Sequence, residues 1–202
     1  MLRALRRKLL PHWTDYWPAI AGATQREQVL HLGPGPHSLP GAISADINPA
    51  VRPNFVWDLN QRPWPFADDS FEQVIAINVL EHLKDFLGAM AEIHRISKAG
   101  AVTSILVPHF SSAAAFVDPT HRQLFSARSC DYFIPGTELE SEYGFYVTYR
   151  FLLQRQRVHL FGALRYIPGA EWIANQAPAF WENYLCQILR GGGVFWQLQA
   201  LK

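Results

Sequence analysis

Residues 29–58 read VLHLGPGPHSLPGAISADINPAVRPNFVWD, three short apolar runs that each stop on a turn or an acid. Val29 to Leu32 runs into Gly33-Pro34-Gly35. Ala42 to Ala45 stops on Asp46, and Phe55 to Trp57 stops on Asp58. Runs of this length, punctuated by Gly, Pro and Asp, are the pattern of buried parallel strands. In an open α/β sheet the ligand edge lies at the carboxyl ends of the strands. A glycine turn followed by two spaced carboxylates at that edge suits a nucleoside: the glycines let backbone approach, one acid takes the ribose diol and the other borders the base.

The rest of the chain extends the same pattern. PGPHSLPG is too rich in Pro and Gly for a helix, so the first crossover is a loop, short for this architecture. Arg62 to Asp69 is a proline-bounded loop before FEQVIAIN, a fourth strand. Asp85 is placed to cap a helix over Phe86 to Ser97, ended by Lys98-Ala99-Gly100, and Ala101 to Val107 is a fifth strand. Residues 108–145 read as a substrate-side loop with a short helix capped near Ser126. Phe145 to Leu160 and Val194 to Leu201 are further strands, the last inserting antiparallel, with a helical insertion over 162–193 between them. In that insertion Trp172, Phe180, Trp181 and Tyr184 are expected in the core. The expected fold is a Rossmann-like α/β sheet of seven mostly parallel strands, one antiparallel near the edge, with helices on both faces, in one domain over 1–202.

Composition bounds the functional classes. With 49% apolar and 17% charged residues in 202, the chain is an ordinary globular protein, and a net charge of +1 gives no reason to expect nucleic acid. Cys130 and Cys186 are far apart and form no CxxC, which fits a reduced cytoplasm and disfavours a disulfide scaffold or zinc ribbon. Residues 1–28 read as a leader. MLRALRRKLL within it reads as a short amphipathic basic helix, with Leu2, Leu5 and Leu9 on one side, suited at most to peripheral membrane contact.

The dinucleotide fingerprint needs G-x-G-x-x-G opening a helix that holds a pyrophosphate. Here the third position is Ser38, and Pro34, Pro36 and Pro40 oppose a helix start. Pyrophosphate recognition loses its main device, whereas a phosphate-free nucleoside such as S-adenosylmethionine does not need it. VLHLGPG, ADIN, WDL and FEQVIAINVLEHL, in that order, resemble a class I S-adenosylmethionine-dependent methyltransferase. More narrowly, GPGPHSLPGAISADINP, PFADDSFEQVIAINVLEHL and PHFSS…DPTHRQLFSARSCDYF resemble the small bacterial methyltransferases of surface-polysaccharide biosynthesis.

The resemblance implies that Gly33, Pro34 and Gly35 face the methionine part of the cofactor and that Asp46 accepts both ribose hydroxyls. Ile47 lies beneath the adenine, Asp58 and Leu59 border its amino group, and Asn78 and Val79 line the methyl side. It departs at His31, where the family usually has an acid, and at His37, often small there; a hydrogen bond from His31 can hold the loop instead.

Methyl transfer from a sulfonium is an in-line displacement in which the protein aligns the two partners and removes a proton from a hydroxyl acceptor. The candidates are Glu81-His82, His109 and Asp118-Pro-Thr-His121, with His82, His109 or His121 as base and Asp118 as its orienter. Glu81 and His82 also suit a cap on the following helix. The histidines lack metal-ligand spacing, so no metal is expected. Arg122 and Arg128 are placed to meet an acidic acceptor. The expected activity is methyl transfer to oxygen or nitrogen of a small molecule, sugar or lipid-linked glycan. A non-catalytic binder of the same cofactor is the alternative, and an NAD-dependent oxidoreductase is disfavoured.

Overall fold

The structure is a computed structural model and describes residues 26–202. The amphipathic basic segment and the leader up to Gln25 lie outside the described residues. The strands are β1 (Val29–Leu32), β2 (Ile43–Asp46), β3 (Phe55–Val56), β4 (Phe71–Ile77), β5 (Ser97–Pro108), β6 (Arg150–Leu160) and β7 (Gly191–Leu201). They form one sheet in the order β3-β2-β1-β4-β5-β7-β6. The first five are parallel, and β7 runs antiparallel to both β5 and β6, one place in from the edge. The sheet class read from the apolar runs is the one observed.

Sequence chemistry accounts for the main boundaries. The ten residues between β1 and β2 hold turns and no helix, as their prolines require. Helix α1 (Phe86–Ile96) starts where Asp85 accepts the Gly88 N–H at 2.9 Å, and it buries Ala89, Met90, Ile93 and Ile96 against the sheet. Strand β5 begins earlier than its apolar run, at Ser97. The chain pairs Ser97 with Phe71, then resumes with Val102 opposite Gln73, leaving a bulge around Gly100 at φ +78°. Strand β6 begins later, at Arg150. Thr137 caps a short helix over Glu138–Tyr143, and Arg150 closes that helix against the strand by pairing with Glu140 at 2.9 Å.

A second short helix spans Ala114–Val117, and the insertion carries α4 (Ala170–Gln176) and α5 (Pro178–Tyr184), the helices at 114–117 and 138–143 being α2 and α3. No regular helix starts near Ser126. Ser126 and Ser129 instead bond each other's neighbourhood in interlocked turns that lead to one 3-10 turn at Asp131–Phe133. Of the insertion's four aromatics expected in the core, only Trp181 is there. Trp172, Phe180 and Tyr184 are 67%, 53% and 71% exposed. Helices α4 and α5 have two turns each, so their inward faces hold only Ala170, Ala174 and Trp181, and the remaining aromatics point outward.

The larger apolar cluster joins Leu30, Leu32, Val74, Ala76, Ile105, Val107 and Trp196 to α1, α4 and α5. Alternate residues of the same strands, Val29, Ile75, Leu106 and Phe195, form a smaller cluster with Leu39 on the opposite face. Among the described residues no helix is long and apolar enough to cross a membrane. Cys130 and Cys186 are both buried and unbridged.

Candidate active site

The carboxyl ends of β1 and β4 meet at a cavity of about 190 Å³ lined by His31, Gly33, Pro34, Gly35, His37, Ile77 and Asn78. Three of these positions have left-handed backbone: Gly33 at φ +54°, Gly35 at +53° and Asn78 at +50°. A Cβ on Gly33 would overlap the Val79 side chain, whereas one on Gly35 would meet nothing within 4 Å. Gly33 therefore serves close packing, and Gly35 keeps an open backbone surface at the cavity.

Asp46 closes this edge. Its Oδ2 accepts the Gly35 N–H at 2.9 Å and its Oδ1 the Asn48 N–H at 2.8 Å. The glycine turn and the first acid thus lie on the same side of the sheet. Each carboxylate oxygen has two lone pairs, so one acceptor position remains on each oxygen after these bonds, the number a ribose diol needs. Ile47, next to it, is exposed and offers an apolar surface for a base. Asp58 is half-buried and holds Asn60 through its backbone and side-chain nitrogens, both at 2.9 Å. The Leu59 side chain is in the core and its carbonyl accepts the Trp64 indole N–H at 3.1 Å. Val79 is buried against Gly33. Neither Leu59 nor Val79 offers a side chain to the cavity.

His31 stands where an acid is usual, and the structure gives its local role. It is buried, and its Nδ1 accepts the Leu39 N–H at 3.2 Å, tying the far side of the loop to β1. Burial drives its pKa down to about 4, against the opposing pull of the Asp46 charge. The unfolded ring titrates near 6.5, so stability falls as pH drops from about 6.5 towards 4, where the unfolded state takes the proton first. The full loss is about 3 kcal/mol. His31→Asn, which sets a carbonyl where Nδ1 sits, should flatten that part of the stability profile in urea titrations at pH 7 and 4.5. An unchanged pH slope would show that another group causes it.

Beyond Asn78, the chain forms a 3-10 turn over Leu80–His82. This turn meets the loop after β5, whose Arg122 and Gln123 N–H groups donate to the Glu81 carbonyl at 2.7 and 3.1 Å. That contact brings His121 beside His82, with ring centroids 4.7 Å apart. His121 Nδ1 lies 3.1 Å from the Ala115 carbonyl, so it is the protonated nitrogen. Thr120 Oγ1 donates to Asp118 at 2.6 Å and therefore accepts from His82 Nδ1 at 2.8 Å. Both rings are left with a free lone pair on Nε2. Burial lowers the His82 pKa, with the His121 charge adding and Asp118 and Thr120 opposing. The Thr120 hydrogen bonds hold Asp118 below the usual carboxylate range.

Asp118 acts through Thr120 on His82, not directly on His121. Thr120 escaped the reading of the sequence, although it sits between the Asp and His of DPTH. Glu81 is the second surprise. It is 1% exposed, and neither carboxylate oxygen makes a hydrogen bond of ordinary geometry. Burial pushes its carboxyl up to about 8, its own backbone N–H pulling the other way and the Asp118 charge adding to the rise.

His109 is corrected from candidate base to scaffold. It is wholly buried between Phe110 and Trp181. The Ser111 N–H donates to its Nδ1 at 3.1 Å, and Nε2–H donates to Glu182 at 3.0 Å. With both nitrogens used and no exposed edge, it cannot reach an acceptor. It ties the end of β5 to α5. Arg128 is likewise engaged, with Asp131 at 3.4 Å and Glu138 at 3.1 Å, while Arg122 is exposed. A second cavity of about 530 Å³ opens along the residues that follow His82 and His121, lined among others by Lys84, Phe86, Gln123, Phe125, Arg128 and Tyr132.

A family model described as "Methyltransferase domain" matches residues 42–105, from β2 into β5. The demethylmenaquinone methyltransferase of Tropheryma whipplei is 25% identical over 129 residues, covering 55% of this chain and 53% of that protein. The chain thus spans about half the length of the curated relatives it matches. Among solved structures, a chain of the Haloferax volcanii complex containing the Trm112 methyltransferase activator superimposes with a TM-score of 0.59 at 18% identity, covering 99% of this chain and 93% of that one. An S-adenosylmethionine-dependent methyltransferase from Archaeoglobus fulgidus gives 0.54 at 16% identity, covering 93% and 90%. Residues 42–105 thus match the methyltransferase-domain model, and the sheet around them, in the order β3-β2-β1-β4-β5-β7-β6, shares its fold with these solved structures.

Proposed function

We propose that this chain transfers a methyl group from S-adenosylmethionine to an oxygen or nitrogen of a small molecule, sugar or lipid-linked glycan. The observation that carries the reading is the Gly35–Asp46 hydrogen bond at the mouth of the strand-end cavity. The residues fit the cofactor. Gly35 leaves backbone open, Asp46 keeps two acceptor positions, Ile47 is free for the adenine, and nothing here calls for a phosphate. Gly33, Pro34 and Asn78 would line the methionine side. The bound cofactor supplies a methyl carried on a sulfonium, already a good leaving group.

The protein's task is then alignment and proton removal. His82 and His121 each keep Nε2 free, and the 530 Å³ cavity opens along the residues that follow them without either ring lining it. We assign that cavity to the acceptor. Its Phe and Tyr rings suit the C–H faces of a sugar, and Lys84 and Gln123 supply hydrogen-bond donors. The surface-polysaccharide assignment and a cytoplasmic location rest on the sequence resemblance and on two unbridged cysteines.

Calorimetry should detect binding of S-adenosylmethionine and none of NAD, and S-adenosylhomocysteine should accumulate with an accepted sugar. Binding without turnover across acceptor classes would favour a regulatory binder of the cofactor. His121→Ala should leave cofactor affinity within twofold and lower kcat by about 10²-fold or more, the usual worth of a positioned acid–base group. A kcat within a factor of three of the parent would remove His121 from the reaction.

A further inference from the structure

We infer that Glu81, His82 and His121 form a binding site for one divalent transition-metal ion, held by two imidazoles and a carboxylate with a coordination position left open. Each residue offers one ligand atom, and these atoms lie within 4.8 Å of one another. In a tetrahedral site, ligands about 2.1 Å from the cation stand about 3.4 Å apart, so closing the site takes a contraction of up to about 1.4 Å. Two half-buried imidazoles that belong to different loops allow that much adjustment.

Three independent features point to an ion. First, Glu81 places two carboxylate oxygens in the interior without a hydrogen-bond partner, an arrangement that costs free energy unless something electropositive reaches them. Second, both imidazoles already donate Nδ1–H, His121 to the Ala115 carbonyl and His82 to Thr120, which Asp118 orients in turn. Metal-binding histidines are held in this way, the second nitrogen fixing the tautomer that leaves the other lone pair for the metal. Third, the ligand types match the two-histidine, one-glutamate sets that bind zinc with three protein ligands and one exchangeable position. The hard-oxygen cations magnesium and calcium are disfavoured, because two of three ligands are imidazoles.

The site stands on this ligand geometry alone. Its use would be to bind the acceptor's oxygen at the open position and lower the hydroxyl pKa, in place of proton removal by either imidazole, whose lone pairs the ion takes; that use rests on the methyl-transfer reading.

The test is titration of the chelator-treated, dialysed full chain with Co²⁺, followed by d–d absorption. One equivalent should bind and give the intense bands of a four- or five-coordinate ion. Glu81→Gln, His82→Ala and His121→Ala should each weaken binding at least tenfold, and Thr120→Val about 10–100-fold, the usual effect of removing an outer-shell partner. Calorimetric S-adenosylmethionine binding on the same samples reports that the variants are folded. Absence of Co²⁺ binding at millimolar concentration, or binding that all four substitutions leave unchanged, overturns the site. Co²⁺ binding in a protein that neither binds nor consumes S-adenosylmethionine would overturn the methyl-transfer reading and leave the metal site standing.

Discussion

Asp46→Ala is expected to lower affinity for S-adenosylmethionine by at least a hundredfold in calorimetry. Two hydrogen bonds to an ionised carboxylate would be lost, each worth roughly 1.5–3 kcal/mol, so the total of about 3–6 kcal/mol corresponds to two to four decades. The same substitution releases the Gly35 and Asn48 N–H groups that Asp46 now accepts. Both lie at a solvent-accessible edge, which keeps the stability cost to about 1–3 kcal/mol. A folded Asp46→Ala protein with unchanged affinity would show that Asp46 only staples the turn and that the ribose lies elsewhere.

The two glycines of the turn should separate just as clearly. Gly33→Ala combines a left-handed backbone, worth roughly 1–2 kcal/mol against alanine, with overlap against Val79, worth about 1–3 kcal/mol more. A total near 2–5 kcal/mol should appear as a large drop in the urea midpoint. Gly35→Ala bears only the backbone cost, since its added methyl meets no protein atom. That methyl enters the cavity mouth, so Gly35→Ala should stay folded and bind S-adenosylmethionine poorly. Val79→Ala should recover part of the Gly33→Ala loss and none of the Gly35→Ala loss, a coupling that a double-mutant cycle reads directly. Equal destabilisation by the two alanines would mean that Val79 does not set the packing at Gly33.

Local signals carried the strands and the turns at their carboxyl ends. The runs into Gly33, Asp46 and Asn78 end in the sheet within a residue of where the sequence ends them, because a buried parallel strand needs both faces apolar and a turn at its end, whereas the Phe55–Trp57 run, read as buried, gives a two-residue edge strand with both side chains exposed. The prolines of the first crossover had the same local force. Where the reading failed, the cause was distance along the chain. His109 carries the same titratable ring as His121, and only the packing of Trp181 and Glu182, more than seventy residues later, makes it structural. Thr120 depends on the meeting of two loops, and the pairing of Glu81 with His121 depends on the Arg122 N–H reaching back to the Glu81 carbonyl. The outward aromatics of α4 and α5 follow from helices too short to bury more than one side of themselves, and helix length was the boundary least defined by composition.

Under the methyl transfer proposed above, the helix-free crossover after β1 would have an electrostatic result for turnover. A helix starting at Gly35 would aim a partial positive charge at the ligand, worth about 0.3–1 kcal/mol against a sulfonium and nothing against an uncharged thioether. Such a field would favour the spent cofactor over the fresh one. With turns in its place, that bias is missing, and inhibition by accumulated product should be correspondingly mild.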